Sequence, residues 1–283
     1  MITYPNVKVN LGLNVLRKRE DGFHDLETLF VPYFEIHDTL EIITGDAFSE
    51  TSASLFGRYK AAGPEPTLVQ SISEDGKLMI TIARQEGVDW NPLDDLCVKA
   101  YRVLDSDFNL PAVKIFLEKT SPVGAGLGGG SSDAAFALRM LSDMFNLDLS
   151  DEQLAEYAAR LGSDCAFFVY NTPMIGEGRG EILTQFDLDI EDYELTVLTP
   201  ENVHVSTVDA YRGIKPALPE VNLREALVRP VEEWKDCLKN DFEDTVFIKF
   251  PELKAIKDSL YESGAIYASM SGSGSALFAL YNK

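Results

Sequence analysis

Pro122-Val123-Gly124-Ala125-Gly126-Leu127-Gly128-Gly129-Gly130-Ser131-Ser132-Asp133-Ala134-Ala135 is the stretch on which the reading of this chain turns, with five glycines and two serines ahead of a helical pattern. Glycine reaches positive φ and lacks the Cβ that keeps a ligand off the backbone, so successive N–H groups of such a loop can face one anion. Ala134, Leu138, Leu141 and Phe145 recur at i, i+4, i+7 and i+11 and predict a helix beginning near Ser131 or Ser132, with those serines able to cap it. The first N–H groups of a helix lack intrahelical partners and carry the positive end of its dipole. Loop and helix together predict a phosphate cradle. A flexible Gly/Ser linker is the competing reading. Against it, the amphipathic strand Val113, Ile115, Leu117 leads directly into the loop. No Gly-Lys-Ser/Thr follows the glycines and Lys119-Thr120 precedes them, which excludes a Walker A loop; a dinucleotide fingerprint fits no better.

Around this loop the composition is that of a globular protein: 283 residues, 45% hydrophobic, enough for one large or two modest domains. No apolar run of about 18 residues and no basic-then-apolar leader is present, so neither a membrane span nor a secretory signal is predicted. Cys97, Cys165 and Cys237 are odd in number and widely spaced, which argues against a disulfide framework or zinc site and fits a reducing cytoplasm. A formal net charge of −21 disfavours nucleic acid and anionic membranes as partners. Anionic ligands then need a local electropositive pocket of loop amides, helix termini and a few cations, with metal shielding a polyphosphate. Arg17-Lys18-Arg19 is a candidate for attracting such a substrate, although taken alone it reads first as a solvated surface turn.

Strands are predicted at Val7 to Val15, Phe34 to Ile36, Thr39 to Ile43 and Lys77 to Ala83. Gly45 to Gly76 reads as a polar inserted loop ending in the hairpin turn Asp75-Gly76. A helix from about Leu93 to Leu104 completes a mixed first half. Ser150 and Gln153 form a capping-box pattern ahead of Leu154, Tyr157, Ala158 and Leu161. Strands at Gly180 to Phe186 and Tyr193 to Leu198, a helix opened by Pro251, and the closing strand, glycine turn and strand (Ala265 to Met270, Ser271 to Ser275, Ala276 to Leu280) predict an α+β second half.

Pro122 to Ala135 resembles the central signature of the GHMP small-molecule kinases. Pro5-Asn6-Val7-Lys8-Val9-Asn10-Leu11 is similar to their N-terminal motif, and Ser269-Met270-Ser271-Gly272-Ser273-Gly274-Ser275 to their C-terminal glycine loop. The three motifs, in order, span nearly the whole chain. Arg19 to Phe30, with Asp21-Gly22-Phe23-His24, and Leu161-Gly162-Ser163-Asp164-Cys165-Ala166-Phe167-Phe168 resemble the branch that phosphorylates the 2-hydroxyl of 4-diphosphocytidyl-2-C-methyl-D-erythritol in non-mevalonate isoprenoid synthesis. The chain length and the placement of Val205-Ser206-Thr207 agree with that branch. The resemblance implies a two-domain α+β GHMP kinase fold. Residues 1–155 would form an ATP-binding domain like the second domain of ribosomal protein S5. Residues 156–283 would form a ferredoxin-like α/β layer on the substrate side.

It further implies ATP and Mg²⁺ as cofactors and a small-molecule substrate, with no nucleic acid or membrane partner. Asp164 becomes the catalytic base and Lys8 its charged partner. Pro122, Gly124, Ala125, Gly126, Leu127, Gly128, Gly129, Gly130, Ser131 and Ser132 would wrap the triphosphate, a hydroxyl of Ser131 or Ser132 touching the metal. Asn10, Phe23, His24, Gly272, Ser273 and Gly274 would hold the second substrate. Without the flanking motifs, Asp164 reads as a helix cap before Cys165, Lys8 as an edge-strand surface lysine, and the closing glycines as a plain hairpin turn. Phe23 stands where tyrosine is usual, which keeps ring stacking but loses a phenolic hydrogen bond. Ala166 replaces a proline, Asp95 an asparagine on the purine side, and the Gly45 to Gly76 insertion is long. Other GHMP kinases, of homoserine or mevalonate type, and a catalytically silent nucleotide-binding regulator are the competing functions. Asp21-Gly22-Phe23-His24 speaks against the first, and retention of Lys8 with Asp164 against the second.

Overall fold

The computed structural model describes residues 1–44, 67–201 and 203–283. In chain order the strands are β1 (Ile2–Thr3), β2 (Asn6–Lys18), β3 (His24–His37), β4 (Thr39–Thr44), β5 (Thr67–Ile72), β6 (Leu78–Arg84), β7 (Val113–Glu118), β8 (Met174–Gly178), β9 (Ile182–Gln185), β10 (Tyr193–Leu198), β11 (Tyr267–Met270) and β12 (Leu277–Asn282). The longer helices are α1 (Leu96–Phe108), α2 (Gly129–Phe145), α3 (Asp151–Ala159) and, near the end of the chain, Pro251–Glu262. Two compact units emerge, Met1–Val7 with Tyr33–Ser121 and Gly129–Asn171, and Lys8–Pro32 with Pro122–Gly128 and Thr172–Lys283.

The first unit carries a sheet ordered β1-β4-β7-β6-β5. Its β6 and β7 run parallel, and β7 pairs antiparallel with β4. Ile42, Ile80, Ile82, Ile115 and Leu117 of the sheet and Leu104, Leu138 and Leu141 of α1 and α2 are sealed from solvent, each worth about 1.5–3 kcal/mol of burial. The Ser150–Gln153 capping box forms as expected, Gln153 N donating to Ser150 Oγ at 3.3 Å and Ser150 N to Gln153 Oε1 at 3.0 Å.

Three expectations shift here. Helix α1 starts at Leu96, not Leu93, because Pro92–Asp94 form a 3-10 turn and Asp95 caps α1 by accepting from Cys97 N at 2.9 Å. Helix α2 starts at Gly129, so Ser131 and Ser132 lie in its first turn and are not its caps; Ser132 is fully buried. The insertion is not loop throughout: Thr67–Ile72 pairs antiparallel with β6 across the Asp75-Gly76 turn, and the remainder, 45–66, falls outside the described residues.

The second unit holds most of the sheet β2-β3-β8-β9 and a sheet ordered β10-β12-β11. Here β10 and β12 pair antiparallel from Tyr193↔Asn282 to Leu198↔Leu277. Leu13, Val15, Val205, Ala210, Phe242, Val246, Leu253, Met270 and Leu277 form one apolar core. Strand β8 and the short helices at Thr207–Tyr211, Leu223–Leu227, Trp234–Cys237 and Glu243–Lys249 had no expectation from pattern. Each is too short to show a period of its own.

Candidate active site

In the second unit, three sequence-distant segments converge. β2 presents Lys8 and Asn10, both buried. Lys8 Nζ donates to Asn10 Oδ1 and, at 2.9 Å, to the carbonyl oxygen of Gly126, while Lys8 N donates to Leu127 O at 3.0 Å. Ser271 Oγ donates to that same Gly126 oxygen at 3.1 Å and accepts from Asn10 N at 3.2 Å. Asn10 Nδ2 donates to Thr28 Oγ1 at 3.1 Å. Lys8 is thus a buried cation spanning two motifs, not a surface lysine, and its ammonium also lies 5.4 Å from the Phe30 ring centroid.

The loop Pro122–Gly128 has a regular design. Gly124, Gly126 and Gly128 adopt φ of +72°, +79° and +74°, while Ala125 and Leu127 between them are buried. Recurring sign reversal of φ is the conformation that turns successive N–H groups toward one concavity, an anion nest. A Cβ on Gly126 would stand 2.2 Å from the Ser271 carbonyl oxygen, so only glycine fits there. The closing loop is held from behind: Asn240 Nδ2 donates to Met270 O at 2.7 Å and Gly272 O at 2.9 Å, and its Oδ1 accepts from Phe242 N at 3.0 Å. Thr207 Oγ1 lies 3.3 Å from Ser273 Oγ.

Phe23 is 54% exposed with the Arg179 guanidinium 5.1 Å from its centroid. His24 stacks on Tyr211 at 4.7 Å; burial first, then the Lys18 charge, lowers its pKa below the ordinary histidine value. Arg17 pairs with Asp25, and Arg19 with Asp21 and Asp25, which neutralises most of the basic run; Arg17 and Lys18 close β2 and Arg19 follows it, so the run is a solvated strand end and not the turn expected.

In the first unit, Gly129 to Ser132 make up the first turn of α2. Gly130 and Ser131 are half-buried, whereas the Ser132 hydroxyl is buried without a hydrogen-bond partner. Asp164 occupies the N-cap position of the helix Cys165–Tyr170 and makes no side-chain capping bond there, so capping does not account for this carboxylate. Asp95 is engaged as the α1 cap and also accepts from Trp90 Nε1 at 3.2 Å.

Residues 95–172 match the model for the GHMP kinases N terminal domain, and 222–283 that for the GHMP kinases C terminal. A Bacteroides fragilis protein named 4-diphosphocytidyl-2-C-methyl-D-erythritol kinase is 46% identical over 284 residues, covering 100% of this chain and 92% of that one. A Bacteroides thetaiotaomicron protein of the same name is 45% identical, covering 99% and 92%. This chain belongs to the 4-diphosphocytidyl-2-C-methyl-D-erythritol kinase family. A solved 4-(cytidine 5'-diphospho)-2C-methyl-D-erythritol kinase superposes with a TM-score of 0.74 at 30% identity, covering 99% of this chain and 90% of that one. The homoserine kinase of Cytophaga hutchinsonii, at 16% identity and a TM-score of 0.63, shares the fold.

For a member of the 4-diphosphocytidyl-2-C-methyl-D-erythritol kinase family, the α+β GHMP fold expected from the motifs is the fold found. Asn240, Thr28 and Arg179 escaped the sequence reading. Asn240 lies between Lys239 and Asp241, a polar run that looks like solvated surface, and only the return of the chain at Met270 reveals its task. Among the described residues no cluster of three or more His, Cys, Asp or Glu side chains could hold a metal ion by itself, and no helix is long and apolar enough to cross a membrane.

Proposed function

We propose that this chain transfers the γ-phosphoryl group of ATP to the 2-hydroxyl of 4-diphosphocytidyl-2-C-methyl-D-erythritol, in the cytoplasm, as a step of non-mevalonate isoprenoid precursor synthesis. The observation that carries it is the meeting of Lys8, Gly126 and Ser271, one residue from each of the three motifs, on a single carbonyl oxygen. The names of the relatives at 45% and 46% identity support the choice of acceptor.

In this reading the nest of Gly124, Gly126 and Gly128 and the first turn of α2 hold the triphosphate, because alternating φ turns loop N–H groups toward one concavity and the first N–H groups of a helix lack intrahelical partners. Asp164 accepts the proton of the acceptor hydroxyl; the oxygen forms a bond to the γ-phosphorus, the bond to the β-phosphate oxygen breaks, and ADP leaves. Lys8 stabilises charge on the reacting oxygens. Asn10, Phe23, His24 and the amides of Gly272 to Gly274 hold the diphosphocytidyl group, Phe23 by its exposed ring.

The residues present fit Mg²⁺ carried in on the nucleotide phosphates, since no acidic cage exists among the described residues. Ser131, half-buried, is the hydroxyl that would touch it; Ser132, fully buried, is placed less well. The metal when bound neutralises phosphate charge.

ADP release measured with the diphosphocytidyl alcohol, homoserine and mevalonate tests the proposal. Turnover confined to the first is expected. Turnover of either other alcohol alone would assign a different GHMP kinase activity, and ATP binding without any turnover would make the chain a nucleotide-binding regulator.

A further inference from the structure

Beneath the first turn of α2 lies a group of charges that the proposed reaction does not use. Lys119, the residue after β7, has its ammonium almost fully buried between two carboxylates. It donates to Asp38 Oδ2, to Asp133 Oδ2 at 2.6 Å and to Ser121 Oγ at 3.1 Å. The side chains of Lys119, Asp38 and Asp133 are 5%, 0% and 1% exposed.

The two acids are not equivalent. Asp38 accepts from the backbone N–H groups of Thr120 and Ser121, each at 2.7 Å, and from Ser121 Oγ at 2.6 Å besides Lys119. Burial raises its carboxyl, but the Lys119 charge and the Ser121 hydrogen bonds prevail and hold it below the usual range. Asp133 has one donor, Lys119, and its Oδ1 is buried without a partner. Burial pushes this carboxyl well above the usual range, against the pull of Lys119. One ammonium facing two buried carboxylates leaves a surplus negative charge, which is costly in a low-dielectric interior, so Asp133, the acid with fewer donors, is the one whose protonated form is favoured.

The geometry of the cluster links three pieces of backbone. Asp38 ties the turn after β3 to Thr120 and Ser121, Asp133 belongs to the second turn of α2, and a Cβ on Gly129 would stand 2.4 Å from Ser121 Oγ and 3.1 Å from Lys119 Nζ. The first residue of α2 therefore rests directly on the buried ammonium and the serine hydroxyl.

We propose that Lys119, Asp38 and Asp133 form a positioning cluster that fixes the start of α2, and with it the backbone donors of Gly129 to Ser131, for the phosphates of ATP. The inference rests on the reading of that turn as a triphosphate site and assigns Lys119 a role through the backbone, without contact to the reacting atoms. An amide at position 133 can still accept from Lys119, whereas an apolar side chain cannot.

The test is equilibrium titration of the whole chain with Mg-ATP, together with KM for ATP, KM for the diphosphocytidyl alcohol and the thermal midpoint. Lys119→Met and Asp133→Leu are expected to raise the ATP dissociation constant and KM by about tenfold or more, leaving the alcohol KM within about twofold. Asp133→Asn is expected to retain near-wild-type ATP affinity. Should Lys119→Met fail to fold because it strands Asp38, the pair Lys119→Met with Asp38→Asn removes both charges, and the comparison of Asp133→Leu with Asp133→Asn decides by itself. Folded variants with unchanged ATP affinity, or with equal losses for ATP and the alcohol, would overturn the proposal. Wild-type chain that binds ATP without turning over the alcohol would defeat the acceptor assignment alone.

Discussion

Gly126 and Ser271 lie in contact so close that a Cβ on Gly126 would be 2.2 Å from the Ser271 carbonyl oxygen, while Ser271 Oγ donates back to the Gly126 carbonyl at 3.1 Å. Two glycine loops separated by more than half the chain are thereby packed backbone to backbone. Each positions the other.

Gly126→Ala follows directly. The added methyl meets a backbone oxygen and the φ of +79° costs an L-residue about 1–2 kcal/mol before any clash. The thermal midpoint is expected to fall and the ATP dissociation constant to rise by at least about tenfold, read by calorimetry and equilibrium titration.

Asp164→Asn keeps shape and removes the base. In the proposed mechanism kcat falls by about 100-fold or more while ATP affinity stays within about threefold, in steady-state kinetics and titration. Lys8→Ala is expected to lower kcat at least as far and to weaken ATP modestly, because Lys8 also holds the Gly126 carbonyl. A defect confined to ATP affinity in Asp164→Asn would reassign that residue.

Asn240→Ala strands two buried carbonyls and one N–H. At about 1–3 kcal/mol for each unsatisfied buried group, a loss of about 3 kcal/mol or more in denaturant unfolding is expected. KM for the second substrate should rise more than KM for ATP, since the freed segment is Met270 to Gly272.

Thiol reactivity checks the packing. Cys97 and Cys165 are buried, and burial raises the Cys165 thiol to about 12, so neither presents thiolate at pH 8. Cys237 is half-buried. A disulfide reagent is expected to titrate Cys237 alone in the native chain and all three thiols in denaturant; rapid modification of Cys165 in the native chain would contradict its burial.

The α+β class, the strand before the phosphate loop, the Ser150 capping box and the Pro251 helix were legible because each depends on neighbours within one turn or one strand. The start of α2 was misplaced by two or three residues for the opposite reason. Serine caps a helix when its side chain is free to bend back, yet Ser132 is fully buried, and the helix begins at a glycine that fits against Ser121. The end of the insertion was read as loop because Thr67–Ile72 alternates weakly; its strand state comes from pairing with β6.

The sequence by itself determined which chemistry is available: a glycine loop able to present amides, a lysine and an aspartate in recognisable settings, and a resemblance to one kinase family. Tertiary structure alone decided that Lys8 is buried on Gly126 and Ser271, that Asn240 carries the closing loop, and that Lys119 lies under α2 between two acids. Local motifs encode backbone conformation and side-chain type. Burial, hydrogen-bond satisfaction and the charge state of a buried acid are set by atoms brought from elsewhere in the chain, and they come into being with packing.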